Sequence, residues 1–265
     1  MKKFLLILAI VALLLGCDNK IPLKLATTTS TENSGLLEYL LPEFETDTKI
    51  KVDVIAVGTG KAIKLGENGD VDVILVHARG AENKFVTDGF GVNRRDVMHN
   101  DFVIIGVKND VAKIMKAQNA TEALQKIAFA KAEFISRGDD SGTHKKEKNL
   151  WKNTGILPTG KWYKEIGQGM GATINMANEL AGYTITDRGT YIAMQDKITL
   201  KILFDGDVGL LNPYGIIAVN PQKHPNVNYK SAMKFINWLT SEKAQKMINQ
   251  FQKNGKQLFY ADAIK

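Results

Sequence analysis

An α/β fold, in which parallel-rich sheets are covered by crossover helices, is what this sequence predicts, and three observations predict it. Short segments rich in Val and Ile recur along the chain, and each runs into a turn of Gly, Ser or Thr. After each turn, apolar residues return at helical spacing, the alternation that gives parallel strands joined by helices. The 265 residues are 44% hydrophobic and 24% charged, which suits a globular chain with core material for one large or two modest domains.

The elements follow in order. "IPLKLATTTSTENSG" gives a short strand and a run of hydroxyl residues, after which Leu36, Leu37, Leu40 and Leu41 mark a helix that Pro42 is expected to interrupt. "KIKVDVIAVGTGKAIKLG" repeats the unit as an alternating strand, a Gly-Thr-Gly turn and a helical start. "GDVDVILVHARGAENKFVTDG" is a third. Around "HNDFVIIGVK" the pattern changes: a strand at 102–107 leads to helical stretches near 111–117 and 121–131, then to the strand "AEFISR". "GMGATINMANELAGY" reads as a helix, "YTITDRGTY" as a strand and turn, and "NPYGIIAVNP" as a strand bracketed by prolines. The closing "SAMKFINWLTSEKAQKMINQF" is amphipathic helix. Without a Gly/Ser linker or an internal repeat, any division into domains is set by topology.

The first seventeen residues speak of export. "MKKFLLILAIVALLLGC" has two lysines, an apolar stretch from Phe4 to Leu15 that is short for a membrane span, and then Gly16-Cys17. Leu14-Leu15-Gly16-Cys17 resembles the lipobox of bacterial lipoproteins, in which the cysteine becomes the lipidated first residue. A simply cleaved signal or a short membrane anchor is the alternative. Cys17 is the single cysteine, so disulfides and CxxC metal sites are excluded.

Formal net charge is +7, from 35 Lys+Arg against 28 Asp+Glu, and the excess is scattered. No long basic run or RNA-binding aromatic motif accompanies it, which argues against nucleic acid, while a mild positive field suits small anions.

Three turns lie where ligands bind in open α/β sheets, beyond the carboxyl ends of strands. They are Thr27-Thr28-Thr29-Ser30-Thr31, Gly58-Thr59-Gly60-Lys61, and the segment Arg137 to Thr143 within "ISRGDDSGTHKKEK". Each offers hydroxyl donors, and the last two offer Gly where backbone can approach a ligand closely. Helix N-termini carry unpaired N–H groups and partial positive charge, so with an arginine beside them they hold anions. Plainer readings stand beside this one. Thr29-x-x-Glu32 matches a capping box, Gly-Thr-Gly is ordinary turn chemistry, and Arg137-Gly138-Asp139 spells an adhesion tripeptide that recurs by chance.

Enzyme signatures are thin. Gly58-Thr59-Gly60-Lys61 is not a phosphate-binding P-loop, because Ile55 and Ala62 stand where Gly and Ser/Thr are needed. His77, His99, His144 and His224 lie far apart and form no HExxH pair, and no GxSxG elbow occurs. An exported hydrolase would need a nucleophile–base pair or a metal cluster, and neither is visible. No cofactor is expected.

"LATTTSTENSGLL", "VGTGKAIKLGENGDVDVILVHA", "NDFVIIG", "FISRGDDSGTHKKEKNLW", "GQGMGATINMANE" and "TDRGTY", in this order behind a lipobox, resemble the extracytoplasmic binding proteins of bacterial ABC importers, within them the tungstate-binding family. The resemblance covers about residues 23–260, and "TTTS" and "SRGDDSGT" are its more specific parts. It implies a type II periplasmic-binding-protein fold with two α/β lobes, two crossover strands and the oxyanion in the cleft between lobes. The expected organisation is a signal peptide over 1–16, a tether over 17–22, lobe I from 23–100 and 214–265, and lobe II from 101–213. Thr28, Thr29, Ser30, Gly58 and Thr59 would supply donors from one lobe. Arg137, Ser141, Gly142 and Thr143 would supply them from the other, with the backbone near Gly171 as a further contact. Whether Arg188 reaches the ligand or pairs with Asp187 stays open.

The resemblance implies a monomeric receptor, tethered outside the cell by lipid on Cys17, that delivers tungstate to a membrane permease. Molybdate, phosphate and sulfate are the alternative ligands. Chemistry separates some of them. Tungstate and molybdate carry no proton at neutral pH and call for a site made of donors. Monohydrogen phosphate brings a donor and favours a carboxylate acceptor, so the direction in which Asp139 and Asp140 point decides between them.

Overall fold

The computed structural model describes residues 21–263; the apolar leader and Cys17 lie outside them. Elements run β1 (Leu23–Thr28), α1 (Thr29–Asn33), α2 (Leu36–Thr48), β2 (Val52–Val57), α3 (Thr59–Asn68), β3 (Val73–Val76), α4 (Arg79–Thr87) and β4 (Gly91–Gly106). Next come α5 (Ala120–Ala130), β5 (Phe134–Ser136), α6 (Gly142–Thr154), β6 (Tyr163–Glu165), α7 (Met170–Glu179), β7 (Thr184–Asp187), α8 (Arg188–Met194), β8 (Lys201–Phe204) and β9 (Leu211–Val219). Helices α9 (Tyr229–Leu239) and α10 (Glu242–Gln250) and the short strands β10 (Gln252–Lys253), β11 (Lys256–Gln257) and β12 (Tyr260–Ala261) complete the chain.

The three strand–turn–helix units build the first sheet. β1 pairs in parallel with β2 on one side and β3 on the other. All four residues of β3 are buried, because helices cover both faces of a parallel sheet. One face packs on Leu36, Leu40, Phe44 and Phe235, and the other on Ala62, Ile63 and Phe85. β9 inserts antiparallel between β3 and β4, giving the order β2-β1-β3-β9-β4-β12. The sheet is therefore mixed, its parallel part confined to the N-terminal third.

β4 carries the chain from one sheet to the next. Through Asp101, opposite Leu211, it pairs with β9; from Phe102, opposite Asp187, it pairs with β7 and then β8. A parallel bridge between Phe134 and Tyr183 adds β5, which pairs in parallel with β6. Phe134, Trp151, Tyr183 and Leu124 centre the core of this second half. The strand expected at 102–107 is thus only the far end of a 16-residue strand. Its polar first half, "GVNRRD", hid the rest, since after Gly91 β4 alternates there between half-buried and exposed positions.

Four expectations need correction. The helical stretch near 111–117 is only a 3₁₀ turn at Ile114–Lys116. Helix α2 runs through Pro42; the lost N–H would have served Glu38, which lies on the exposed side. "TDRGTY" enters a helix rather than a turn, because Asp187 caps α8 by accepting from the Thr190 N–H at 2.8 Å. The closing amphipathic stretch is two helices, because Ser241 accepts from the Ala244 N–H and starts a new one.

Candidate functional site

Each of the three turns is built by local chemistry. After β1, Thr28 takes the N-cap position of α1, its Oγ1 accepting from the Thr31 N–H at 3.2 Å. The capping box that begins at Thr29 is therefore not used, and Thr29 and Ser30 are exposed at the turn. Below them Thr27 Oγ1 donates to Leu75 O at 2.8 Å, tying the turn to β3. After β2, Gly58 caps α3 without a side-chain hydrogen bond. The first N–H groups of that helix thus lack the partner a Ser or Asp would give them. An added Cβ at Gly58 would meet nothing within 4 Å, so the backbone there is open to an incoming ligand.

After β5 the chain makes a tighter structure. Gly138 adopts φ +61°, and a Cβ there would lie 2.8 Å from the Glu165 Cβ, so this turn admits only glycine without rearrangement. Ser141 caps α6, accepting from the His144 N–H at 3.3 Å. Asp139 spans the turn: Oδ1 accepts from the Ser141 N–H at 3.2 Å and Oδ2 accepts from Arg137 Nε at 3.1 Å and from Arg137 Nη2. Burial pushes the Asp139 carboxyl up, but the hydrogen bonds from Ser141 and Arg137 outweigh it and hold the group below the usual carboxylate range.

These turns share one cavity of about 1300 Å³. Thr28, Thr29, Ser30, Gly58, Thr59, Arg137, Ser141, Gly142 and Thr143 all line it. Gly171 is not on its wall; the neighbouring Met170 is. An added Cβ at Gly171 would instead meet Met194 Sδ at 4.0 Å, because the first turn of α7 directs that residue toward α8. Arg188 is also absent from the wall. Its Nε donates to Asp101 Oδ1 and its Nη2 to Asp205 Oδ2, both at 2.7 Å, so it pairs with these two carboxylates rather than with Asp187.

The electrostatics favour an anion. Lys61, Arg79, Arg137, Lys145, Lys146, Lys148 and Lys253 line the cavity against three carboxylates, Asp139, Asp140 and Asp187. All three carboxylates are already engaged. Asp139 holds Arg137 and Ser141, Asp140 pairs with Lys145 at 3.2 Å, and Asp187 receives both the N–H and the hydroxyl of Thr190. Cationic and hydroxyl donors outnumber the carboxylates on this wall, and each carboxylate acceptor is occupied, the arrangement that suits an oxyanion with no proton of its own.

Several wall residues had no sequence signal. His77, Asn100, Lys146 and Asn212 line the cavity. Lys146 Nζ donates to Leu211 O at 2.9 Å, joining α6 to the start of β9, and burial lowers its pKa. Each is a single polar residue whose neighbours come from distant segments, and only "HA" after a buried strand hinted at a turn for His77. Behind the Arg137 turn, Glu147 accepts from Ser136 Oγ at 2.7 Å, Tyr163 OH at 2.8 Å and Trp151 Nε1 at 3.1 Å. Burial nevertheless raises its carboxyl to about 7.

Known proteins resemble this chain in sequence and in fold. A family model described as a PBP superfamily domain matches residues 21–243. The tungstate-binding protein TupA of Peptoclostridium acidaminophilum is 50% identical over 245 residues, covering 91% of this chain and 86% of its own length. The structure of the tungstate-binding protein TupA from Desulfovibrio alaskensis G20 superposes with a TM-score of 0.88 at 51% identity, covering 91% of this chain and 99% of that one. That of the tungstate ABC transporter from Geobacter sulfurreducens gives 0.77 at 60% identity, with coverage of 87% and 98%.

Proposed function

The chain belongs to the PBP superfamily, in the family of the TupA tungstate-binding proteins, and from that premise we propose that it captures tungstate in the cavity between its two sheets for an ABC importer. One observation carries the reading. Nine donor-bearing residues, from three turns spread between Thr28 and Thr143, line the same cavity.

The chemistry follows from the donor set. Thr28, Thr29 and Ser30 offer hydroxyls, Gly58 and Thr59 offer backbone at an uncapped helix start, Ser141 offers its hydroxyl, and Gly142 and Thr143 offer backbone at the start of α6. Arg137 supplies the principal positive charge. Each hydrogen bond to a charged group is worth about 1.5–3 kcal/mol, so several together offset the desolvation of a dianion. The cavity is much larger than a tetrahedral oxyanion. Donors from both sides reach one ligand together when the two halves approach, and the ligand stabilises whichever arrangement it binds better.

The receptor acts outside the cytoplasm, as substrate-binding proteins of importers do. We assign Cys17 as its lipid attachment point and a permease of the importer as the protein it delivers to, with the receptor itself a monomer. Calorimetric titration of residues 21–263 with tungstate, molybdate, phosphate and sulfate tests the assignment. The reading requires tungstate to bind and phosphate to bind at least tenfold more weakly. Preferential phosphate binding contradicts it.

A further inference from the structure

His77 lies on the cavity wall, and the oxyanion reading gives it no role. It follows β3, its ring packs 4.8 Å from that of Tyr214, and it touches both halves of the site. Nε2 is 3.4 Å from Ser30 Oγ, and the position a Cβ would take on Gly142 is 3.4 Å from His77 Cε1.

A buried chain of hydrogen bonds runs from Tyr214 through two amides to the ring. Asn100 Nδ2 donates to Tyr214 OH at 3.2 Å, and Asn212 Nδ2 donates to Asn100 Oδ1 at 2.8 Å. With the amides in this orientation Asn212 presents Oδ1 to the ring, 3.1 Å from Nδ1, and Nδ1 is the donor. In the neutral ring, Nε2 is then a lone pair beside Ser30. Tungstate brings only acceptors. Ser30 has a single hydroxyl proton and cannot give it to both Nε2 and the ligand, while a bare Nε2 lone pair beside a dianion is repulsive.

Resting on the reading that the cavity takes a proton-free oxyanion, we propose that His77 is a proton-coupled contact of this site. Binding of the dianion draws one proton from solvent onto Nε2, making the ring a second cation beside Arg137 and releasing Ser30, whose Oγ also lies 3.0 Å from Thr28 Oγ1, from donating to the ring. Only an N–H bond forms, and the proton comes from bulk buffer. Without ligand the ring is neutral, since burial lowers its pKa, against the hydrogen bond to Asn212 and the charge of Asp187. Asp187 faces it from the end of β7, while Arg137, Asp139 and Asp140 ahead of α6 and Arg79 at the start of α4 line the same cavity. A dianion adds two negative charges to that balance and tips it toward the imidazolium.

Linkage sets the size of the effect. Where the ring is neutral without ligand and charged with it, Kd for tungstate weakens by up to about tenfold for each unit rise in pH. The experiment is titration calorimetry with tungstate at pH 7.5 in buffers of different ionisation heat, on wild type, His77→Gln and Glu147→Gln. Imidazole ¹⁵N NMR of wild type, with and without tungstate, accompanies it. Expected is uptake of about half to one proton per tungstate in wild type and in Glu147→Gln, almost none in His77→Gln, and an Nε2 resonance that moves to its protonated position on binding. Three outcomes overturn the proposal: heats independent of buffer in wild type, uptake that survives in His77→Gln, or uptake that disappears in Glu147→Gln. The NMR readout needs no variant, so misfolding of His77→Gln leaves the question decided. Absence of any tungstate heat in wild type would instead contradict the functional reading itself.

Discussion

Replacing Arg137 by Ala removes the principal cation of the cavity, and the structure sets how much that should matter. The guanidinium is 19% exposed and pairs with Asp139, whose own side chain is 22% exposed. Truncation therefore does two things at once. It deletes charged donors from the ligand site, and it leaves the Asp139 carboxylate with only the Ser141 N–H as partner, close to where a dianion must sit. Loss of one member of a desolvated charge pair costs about 2–5 kcal/mol, which corresponds to a Kd for tungstate about 30-fold to several thousand-fold weaker. The second contribution is separable. In Arg137→Ala/Asp139→Asn the stranded carboxylate is gone, so the double variant binds tungstate more tightly than Arg137→Ala alone, a non-additivity expected of residues in contact. Titration calorimetry on the four proteins of this cycle measures it. An unchanged Kd in Arg137→Ala would remove that residue from the site, and strict additivity with Asp139→Asn would refute the coupling.

Other consequences follow from the same geometry. Because the folded pKa of Glu147 is raised to about 7, the native state holds its proton better than the unfolded chain, and stability falls as pH rises from about 4.5 through 7. A shift of that size is worth about 3 kcal/mol, so Glu147→Gln is more stable than wild type at pH 8 and loses that advantage at pH 5 in urea melts. Lys145 and Lys148 stand exposed at the mouth of the cavity, so Lys145→Glu/Lys148→Glu slows tungstate association in stopped flow, and the difference shrinks as salt rises toward 1 M. Cys17→Ser moves the protein from the detergent phase to the aqueous phase on partitioning of cell extracts, and retention in detergent would argue against lipid at that residue.

The local features of the fold were legible and the long-range ones were not. β1, β2 and β3 announce themselves through Val and Ile followed by a turn, because the residues that make a strand end and a helix begin are neighbours in sequence. The same locality exposed Thr28 to Ser30 and the segment from Arg137 to Thr143. Nothing local says that "NPYGIIAVNP" returns antiparallel between β3 and β4, since that placement is decided by which edge of the sheet the chain meets about 130 residues later. β4 failed for a related reason: Asn93, Arg94, Arg95 and Asp96 carry no apolar strand pattern, and become strand only because β9 pairs with Arg95 and Asp96 beyond a bulge and Glu82 takes the Arg94 guanidinium at 2.9 Å. The cavity residues that were missed belong to this second kind. Asn100 and Asn212 are 112 positions apart and meet only because β4 and β9 lie side by side. Gly171 shows the converse error, in which a helix start that matched the pattern points toward α8 instead of the cavity.

The central claim is that one proton-free oxyanion is held simultaneously by the Thr28–Ser30 turn and the Arg137–Thr143 turn. Crystals grown with tungstate, with diffraction recorded across a tungsten absorption edge, locate the metal directly. The account predicts a single anomalous peak whose oxygens lie within about 3 Å of donors from both turns. A peak bound to one turn alone, or outside the cavity, would contradict it.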